Sequence, residues 1–248
     1  LYNMLAGAMP DGSSRSIHLP LAPEYIGYGD IGLTRDFFTA TRPEIELMDN
    51  NLFKYHVDFS KLEVTEQTGA LCVSRPTNPT GNVLTDREIE HLDEIALAAD
   101  IPLIIDGAYG LPFPGIIFND AKPHWNDNTI LVLSLSKLGL PGVRTGIIVA
   151  REDIVQGYSN ANTVVNLACG NLGPTIAREL FSSGEILTLS NNLVKPFYKQ
   201  RAQQAVDWFR AELGSLPYRI HSPEGAIFLW LWFEGLPITS QELYQRLK

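Results

Sequence analysis

Short apolar runs alternate with longer amphipathic stretches along most of this chain, and that alternation constrains its fold more than any other feature. Residues 70–74, 102–106, 130–135 and 146–150 have the length and apolar content of strands, whereas residues 85–100 have the period of a helix. The pattern is typical of an α/β domain around a mainly parallel sheet with flanking helices. Because the last two runs are too apolar for a sheet edge, we expect both to be central strands covered on each face.

Helical patterns dominate the sequence beyond residue 151. A long helix is predicted from about residue 185 to 213, and a strand pair follows at 218–221 and 226–233. We therefore predict two domains. Residues 1–189 form most of a large domain, and residues 190–248 begin a smaller C-terminal α/β domain.

Charge and composition narrow the classes of function. A net charge of −9 without a Lys/Arg cluster argues against nucleic acid as a partner, because phosphate neutralisation requires a basic surface. Cys72 and Cys169 lie far apart and indicate free thiols in a reducing cytoplasm. The longest apolar stretch, residues 226–233, is far shorter than the roughly 20 residues that cross a bilayer. The five histidines lack ligand-like spacing, so no metal is expected and the predicted partners are small molecules.

Lys137 lies at the end of the apolar run at 130–135, two residues after Leu135, with Ser134 and Ser136 close by in sequence. Open α/β sheets bind ligands at the carboxyl ends of their strands. Partial burial at such a strand end disfavours the charged ammonium, which suits an amine that forms an imine with an aldehyde. Arg144 follows a turn rich in Gly and Pro, and its guanidinium could bind a phosphate together with the two serine hydroxyls.

Two other strand ends carry groups that suit the rest of a phosphorylated pyridine cofactor. Asp106 ends the run at 102–106, where its carboxylate could hold a proton on the ring nitrogen and so make the ring an electron sink. Tyr109 follows three residues later. Asn78 lies in a turn fixed by two prolines and a glycine, and with Tyr109 it could contact a phenolic oxygen.

Order and spacing of these motifs resemble the signature of fold-type I, class I/II aminotransferases. The matching motifs are Asn78-Pro79-Thr80-Gly81, Asp106 with Tyr109, Ser134-Leu135-Ser136-Lys137 and Arg144-Thr145-Gly146. Longer strings are similar to one branch of this family over essentially the whole chain, namely residues 22–28, 74–83, 110–118, 134–145 and 223–233.

The resemblance implies a fold and a cofactor. The fold is the fold-type I large domain with part of the smaller domain, and the cofactor is pyridoxal 5'-phosphate. Lys137 would form the imine with the cofactor and later move the substrate's α-proton, which makes Lys137, Asp106 and Tyr109 the expected catalytic residues. The other cofactor contacts are expected from Tyr25, Asn78, Ser134, Ser136 and Arg144. Tyr25 matches the aromatic residue that stacks on the ring, and Tyr28 competes for that role.

The resemblance also implies a reaction and an assembly. The reaction is amino-group transfer between a small aliphatic amino acid, valine or alanine, and a 2-oxo acid, pyruvate or 2-oxoisovalerate. Relatives are homodimers with active sites at the interface. We expect the chain to be an internal portion of a longer enzyme, because the family's glycine-rich phosphate loop and its arginine for the substrate carboxylate do not occur here.

Three alternatives stay open at this stage. The chain could be a fold-type I lyase or decarboxylase that uses the same cofactor. It could instead be a non-catalytic, aminotransferase-like sensing module of a transcription regulator, although no basic DNA-binding segment is present and the net charge is negative. A chain without the missing flanks could also be inactive.

Overall fold

Strands and helices alternate only in part: α-helix Asp86–Ala98 connects two strands as the sequence predicts, but among the described residues no α-helix lies between the strands Leu103–Asp106, Thr129–Ser134 and Gly146–Val149. The computed structural model describes residues 1–32, 34 and 36–248. The strands within them are β1 (Gly7–Ala8), β2 (Ser14–Leu19), β3 (Phe38–Ala40), β4 (Glu44–Leu47), β5 (Leu52–His56), β6 (Thr68–Ser74), β7 (Leu103–Asp106), β8 (Thr129–Ser134), β9 (Gly146–Val149), β10 (Tyr218–His221) and β11 (Leu231–Phe233). The helices are α1 (Tyr2–Leu5), α2 (Tyr28–Ile31), α3 (Asp86–Ala98), α4 (Glu152–Asn166), α5 (Leu172–Ser183), α6 (Glu185–Leu189), α7 (Lys195–Leu213) and α8 (Ser240–Arg246).

A mainly parallel sheet forms the centre of the molecule. In the described part of the chain its strand order is β1-β2-β6-β7-β8-β9, and β3 pairs with β2 next to β1. The pairs of β2 with β3, β2 with β6, β6 with β7 and β7 with β8 are parallel. The α/β fold expected from the sequence is therefore confirmed.

The core lies on both faces of this sheet. Alternate residues of β6 point to opposite sides, so Leu71 and Val73 belong to one apolar cluster and Cys72 to the other. On the first side α3 buries Ile89 and Leu92 completely. Its start is fixed because Thr85 caps the helix and exchanges hydrogen bonds with Glu88.

The strand β9 lies at the edge of the described sheet and runs antiparallel to β8. The prediction of a central strand at residues 146–150 is therefore wrong. The connection from β8 to β9, residues 135–145, is shorter than the dozen or so residues that a parallel crossover needs, so β9 pairs antiparallel to β8. The expected cover on both faces is nevertheless present, because Ile147 packs against the cluster on one face of the sheet and Ile148 against the cluster on the other.

A second sheet has the order β11-β10-β5-β4 in the described residues. It combines strands from both sides of residue 190, and the predicted domain boundary stays a prediction. The predicted strand at 226–233 is shorter than expected, since only Leu231–Phe233 pairs with β10. Its first residues are irregular because Ala226 has a φ of 59° and the backbone of Gly225 bridges to Ile117.

The predicted long helix is present from Glu185 to Leu213. It consists of α6, a π-helical turn at Ser190–Val194 and α7. No helix in the described residues combines the length and the hydropathy needed to cross a bilayer.

Candidate active site

A pocket of about 320 Å³ opens at the carboxyl ends of β6, β7 and β8. Ser74, Asp106 and Ser134 are the last residues of these strands, and β-pairing places Ser74 directly beside Asp106. Every residue that the sequence assigned to a cofactor site lines this pocket. They are Tyr25, Asn78, Asp106, Tyr109, Ser134, Ser136, Lys137 and Arg144.

Lys137 lies in a 3-10 turn, Ser136–Leu138, that begins where β8 ends. The turn is anchored from below because Leu135 is completely buried and donates its backbone N–H to the carbonyl of Thr145. Gly139 has a φ of 113°, a left-handed conformation that ends the turn. The Lys137 side chain is half-buried, and its Nζ lies 5.3 Å from the centroid of the Tyr109 ring. Lys137 therefore lies inside the pocket.

Arg144 follows a second 3-10 turn and brings a guanidinium beside two serine hydroxyls. Its backbone has a φ of 46°, a left-handed conformation that is costly for a residue with a side chain. The Nη1 atom donates a hydrogen bond to Ser136 Oγ over 3.5 Å, and Ser134 Oγ accepts the backbone N–H of Ser136 over 3.1 Å. This cation with two hydroxyls has the chemistry of a phosphate site.

Asp106 lies at the back of the pocket. Its Oδ1 accepts the backbone N–H of Ala108 at 2.9 Å, and its Oδ2 accepts the hydroxyl of Tyr28 at 3.1 Å. Burial raises the pKa of Asp106 above its usual value, more than these two hydrogen bonds lower it. A cationic group bound at Oδ2 or Oδ1 would favour the ionised carboxylate.

The two groups expected near a phenolic oxygen enter the pocket from different loops. Tyr109 is buried, and burial, together with nearby tyrosines and Asp106, raises its pKa to about 12. The hydroxyl therefore keeps its proton at neutral pH and can donate it. Asn78 is half-buried in a turn that is closed by two backbone hydrogen bonds of 2.8 Å, from Thr77 to Asn82 and from Gly81 to Thr77.

Tyr25 and Tyr28 occupy different environments although they are close in sequence. Tyr25 is 42% exposed and lines the pocket, whereas Tyr28 is 3% exposed and stacks on Phe38 with a centroid distance of 5.2 Å. Their rings meet edge to face at 5.6 Å. Tyr25 is therefore the ring of the two that lines the pocket, whereas Tyr28 is buried and contributes its hydroxyl to Asp106.

Sequence reasoning missed the polar groups beneath the pocket. Glu24 accepts the Ser74 backbone N–H at 2.8 Å and the Ser74 hydroxyl at 2.7 Å, and Tyr28 connects Ser74 with Asp106. Ser74 could have been found, because it ends a strand just as Asp106 and Ser134 do. Pro76, Ala108 and Pro141 complete the lining.

The residues present fit pyridoxal phosphate. One pocket combines an amine, a buried carboxylate with a raised pKa, a phenolic donor and a guanidinium with two hydroxyls. These groups match the aldehyde, ring nitrogen, phenolic oxygen and phosphate of that cofactor. Among the described residues, no cluster of three or more His, Cys, Asp or Glu side chains is arranged to hold a metal ion.

Comparison with known proteins decides the family. The family model for aminotransferase class I and II matches residues 42–248. This chain belongs to the class I and II aminotransferases. Members of this aminotransferase family depend on pyridoxal phosphate, in agreement with the groups in the pocket.

Individual aminotransferases are similar to the chain over its whole length. It is 54% identical to the valine–pyruvate aminotransferase of Escherichia coli K12 over 248 residues, which is 100% of the chain and 60% of that protein. A putative amino-acid aminotransferase from Psychrobacter arcticum 273-4 superimposes with a TM-score of 0.96 at 51% identity, covering 99% of the chain and 59% of that structure. The valine–pyruvate aminotransferase of Salmonella typhimurium LT2 gives a TM-score of 0.92 at 52% identity, covering 99% and 61%. The chain thus spans about 60% of the length of these aminotransferases.

Proposed function

We propose that this chain carries the cofactor-binding centre of a pyridoxal-phosphate-dependent transaminase. The observation that carries the proposal is that Lys137, Asp106 and Arg144 line one pocket at the carboxyl ends of neighbouring strands. An amine, a carboxylate and a guanidinium in one pocket suit the aldehyde, the ring nitrogen and the phosphate of a phosphorylated pyridine aldehyde. Independent support comes from the 54% identity to a valine–pyruvate aminotransferase.

Each group has a defined task in this proposal. When bound, the cofactor supplies an aldehyde that condenses with amines and a protonated ring that withdraws electrons. Lys137 would hold the cofactor through its amine and, once released by the substrate, would move a proton to and from the substrate's α-carbon. Asp106 keeps a negative charge against the ring nitrogen, where burial strengthens the interaction.

The other side chains orient the ring. Tyr109, which keeps its proton at neutral pH, would donate to the phenolic oxygen, and Asn78 would do so from a different loop. Tyr25 covers one ring face. The phosphate is bound by Arg144, Ser134 and Ser136, whose hydrogen bonds to one another already align them.

The substrate pair is part of the proposal. We infer transfer between valine or alanine and pyruvate or 2-oxoisovalerate, because the chain resembles valine–pyruvate aminotransferases from two bacteria over its entire length. A homodimer in the cytoplasm belongs to the same inference. The family supports the homodimer, and the two free cysteines, Cys72 and Cys169, support a reducing compartment such as the cytoplasm.

A transamination assay on the complete gene product tests this proposal. The protein is mixed with pyridoxal phosphate, L-valine and pyruvate, and L-alanine and 2-oxoisovalerate are measured. Both products should form in equal amounts, Lys137→Ala should abolish them, and the surface variant Lys61→Ala should retain them. Release of only ammonia or carbon dioxide would replace transamination with a lyase or decarboxylase reaction. Cofactor binding without any turnover would favour a sensing module.

A further inference from the structure

A hydrogen-bond relay of four side chains connects the pocket with a second carboxylate. Glu24 Oε2 accepts the Ser74 hydroxyl at 2.7 Å, Ser74 Oγ lies 3.3 Å from the Tyr28 hydroxyl, and Tyr28 donates to Asp106 Oδ2 at 3.1 Å. These residues come from three elements, the loop after β2 with α2, the end of β6 and the end of β7. Of these four residues, only Asp106 is among the proposed cofactor contacts. Glu24 has no task in the site described above.

The two hydroxyls in this relay, those of Ser74 and Tyr28, restrict where the protons can be. Tyr28 has one proton and two acceptors within reach, Asp106 Oδ2 and Ser74 Oγ. If Glu24 is ionised, Ser74 donates to it and leaves its own oxygen free to compete for the Tyr28 proton. If Glu24 is protonated, it donates to Ser74, Ser74 turns its proton to Tyr28, and Tyr28 must donate to Asp106. Protonation of Glu24 therefore directs every donor in the relay toward Asp106.

Electrostatic repulsion acts in the same direction. An ionised Glu24 places a second negative charge behind Asp106 and disfavours its ionised form, whereas a protonated Glu24 does not. The hydrogen bonds through Ser74 and Tyr28 and the electrostatic repulsion thus both couple ionisation of Asp106 to retention of a proton on Glu24.

We propose that Glu24 is a positioning residue that shares one proton with Asp106 through Ser74 and Tyr28, so that Glu24 is protonated when Asp106 is ionised. The inference rests on the proposed function, in which an ionised Asp106 faces a protonated ring. Glu24 acts through Asp106 and touches no substrate. Its effect is to keep the Tyr28 hydroxyl donating its hydrogen bond to Asp106 and to remove a competing negative charge from below the pocket.

The titratable groups around this relay support a shared proton. Burial raises the pKa of Glu24 to about 7 although hydrogen bonds from Ser74 and Tyr25 lower it, and the charge of Asp106 makes a smaller contribution to the rise. Burial also raises the pKa values of the other groups behind the pocket, so their protons stay bound at neutral pH; these groups are Tyr2 from α1, Tyr28 from α2 and Cys72 from β6. On the pocket side the facing groups are Tyr25, Tyr109, Lys137 and Arg144.

Carboxyl ¹³C NMR on the intact chain without cofactor tests the coupling. With labelled Asp and Glu, Glu24 should titrate near pH 7, and Asp106→Asn should lower that midpoint by about one pH unit. Glu24→Gln should lower the midpoint of Asp106 by an equal amount, because coupling between two sites is reciprocal. The exposed Glu90→Gln, which removes the same charge from α3, should move neither midpoint.

Tyr28→Phe separates the hydrogen-bonded route from simple repulsion. It removes the link between Ser74 and Asp106 without changing charge, so the mutual shift should fall to half or less. A Glu24 midpoint near 4.5 in the unaltered chain, an unchanged midpoint in Asp106→Asn, or a full shift in Tyr28→Phe would each overturn the proposal. The proposed function has its own readout in cofactor attachment to Lys137, so failure of one is distinguishable from failure of the other.

Discussion

Nζ of Lys137 lies 5.3 Å from the centroid of the Tyr109 ring, in a pocket that both side chains line. The two residues come from different strand ends, since Lys137 follows β8 and Tyr109 follows β7. The ring therefore limits where the amine can move, and its hydroxyl, with a pKa of about 12, remains a donor throughout the physiological range.

Replacing Tyr109 with Phe separates these two contributions. The variant keeps the aromatic ring beside Lys137 but loses the hydroxyl, and a hydrogen bond to a charged acceptor contributes about 1.5–3 kcal/mol. We expect pyridoxal phosphate to bind roughly 10- to 100-fold more weakly while the cofactor still attaches to Lys137. Fluorescence titration with the cofactor measures the affinity, and an unchanged dissociation constant would contradict a contact between the hydroxyl and the cofactor.

Substitution of Asp106 by Asn should reduce activity without reducing stability. Because the folded-state pKa is raised, the ionised carboxylate destabilises the fold at pH above its unfolded value, and Asn removes that cost. Transamination by the complete gene product should fall at least about 100-fold, since Asn cannot hold a proton on the ring nitrogen. Urea unfolding at pH 8 should give a midpoint no lower than that of the unaltered protein. A large loss of stability would show that Asp106 is mainly structural.

His221 should make the fold sensitive to acid. Its Nε2 accepts the backbone N–H of Tyr55 at 3.2 Å, its Nδ1 contacts the Ser222 carbonyl, and burial lowers its pKa to about 4. The unfolded chain binds this proton near pH 6.5 and the folded chain only near pH 4. Stability due to His221 is therefore complete above pH 6.5 and is lost as the pH falls to 4, by roughly 3 kcal/mol.

The measurement compares urea unfolding of the unaltered chain with His221→Gln, whose amide does not titrate. The difference in unfolding free energy should change across pH 6.5 to 4 and stay constant above pH 7. A difference that is the same at every pH would refute the assignment. The comparison is necessary because Glu24 has the opposite sign: its raised pKa removes stability as the pH rises from 4.5 to 7.

Gly110 permits a close approach beneath the pocket. A Cβ at this position would lie 2.2 Å from the carbonyl oxygen of Arg75 and 3.1 Å from the Cα of Gly107. Both neighbours are backbone atoms that cannot move aside easily. We expect Gly110→Ala to destabilise the chain by about 1–3 kcal/mol and to weaken cofactor binding. Gly29→Ala is the matched control, because a Cβ there meets nothing within 4 Å, and thermal unfolding should distinguish the two.

The parts of the fold that could be predicted from the sequence are those with local signals. The strands β6, β7 and β8 were predicted because each is a short apolar run followed by a polar residue, and a polar residue there lies at the sheet edge that binds ligands. The convergence of Lys137, Asp106 and Arg144 in one pocket follows from that rule together with the family motifs. Their catalytic roles stay predictions.

The features that were missed depend on contacts distant in sequence. The edge position of β9 depends on which strands pair beside it, and the second sheet joins Leu52 to Ile220; no local pattern indicates either. Glu24 was overlooked for the same reason. It looks like a surface residue in the sequence, and only the fold brings it to Ser74, fifty residues away in the chain.

The central claim is that Lys137 is the amine that binds the cofactor, and borohydride reduction tests it most directly. The complete gene product is mixed with pyridoxal phosphate, reduced with borohydride and digested with a protease. The masses of the peptides are then measured by mass spectrometry. The account predicts that the reduced cofactor adds its mass to the peptide that contains Lys137, and that Lys137→Ala abolishes the addition whereas Lys61→Ala does not. Cofactor mass on a different lysine, or none on any peptide, would contradict it.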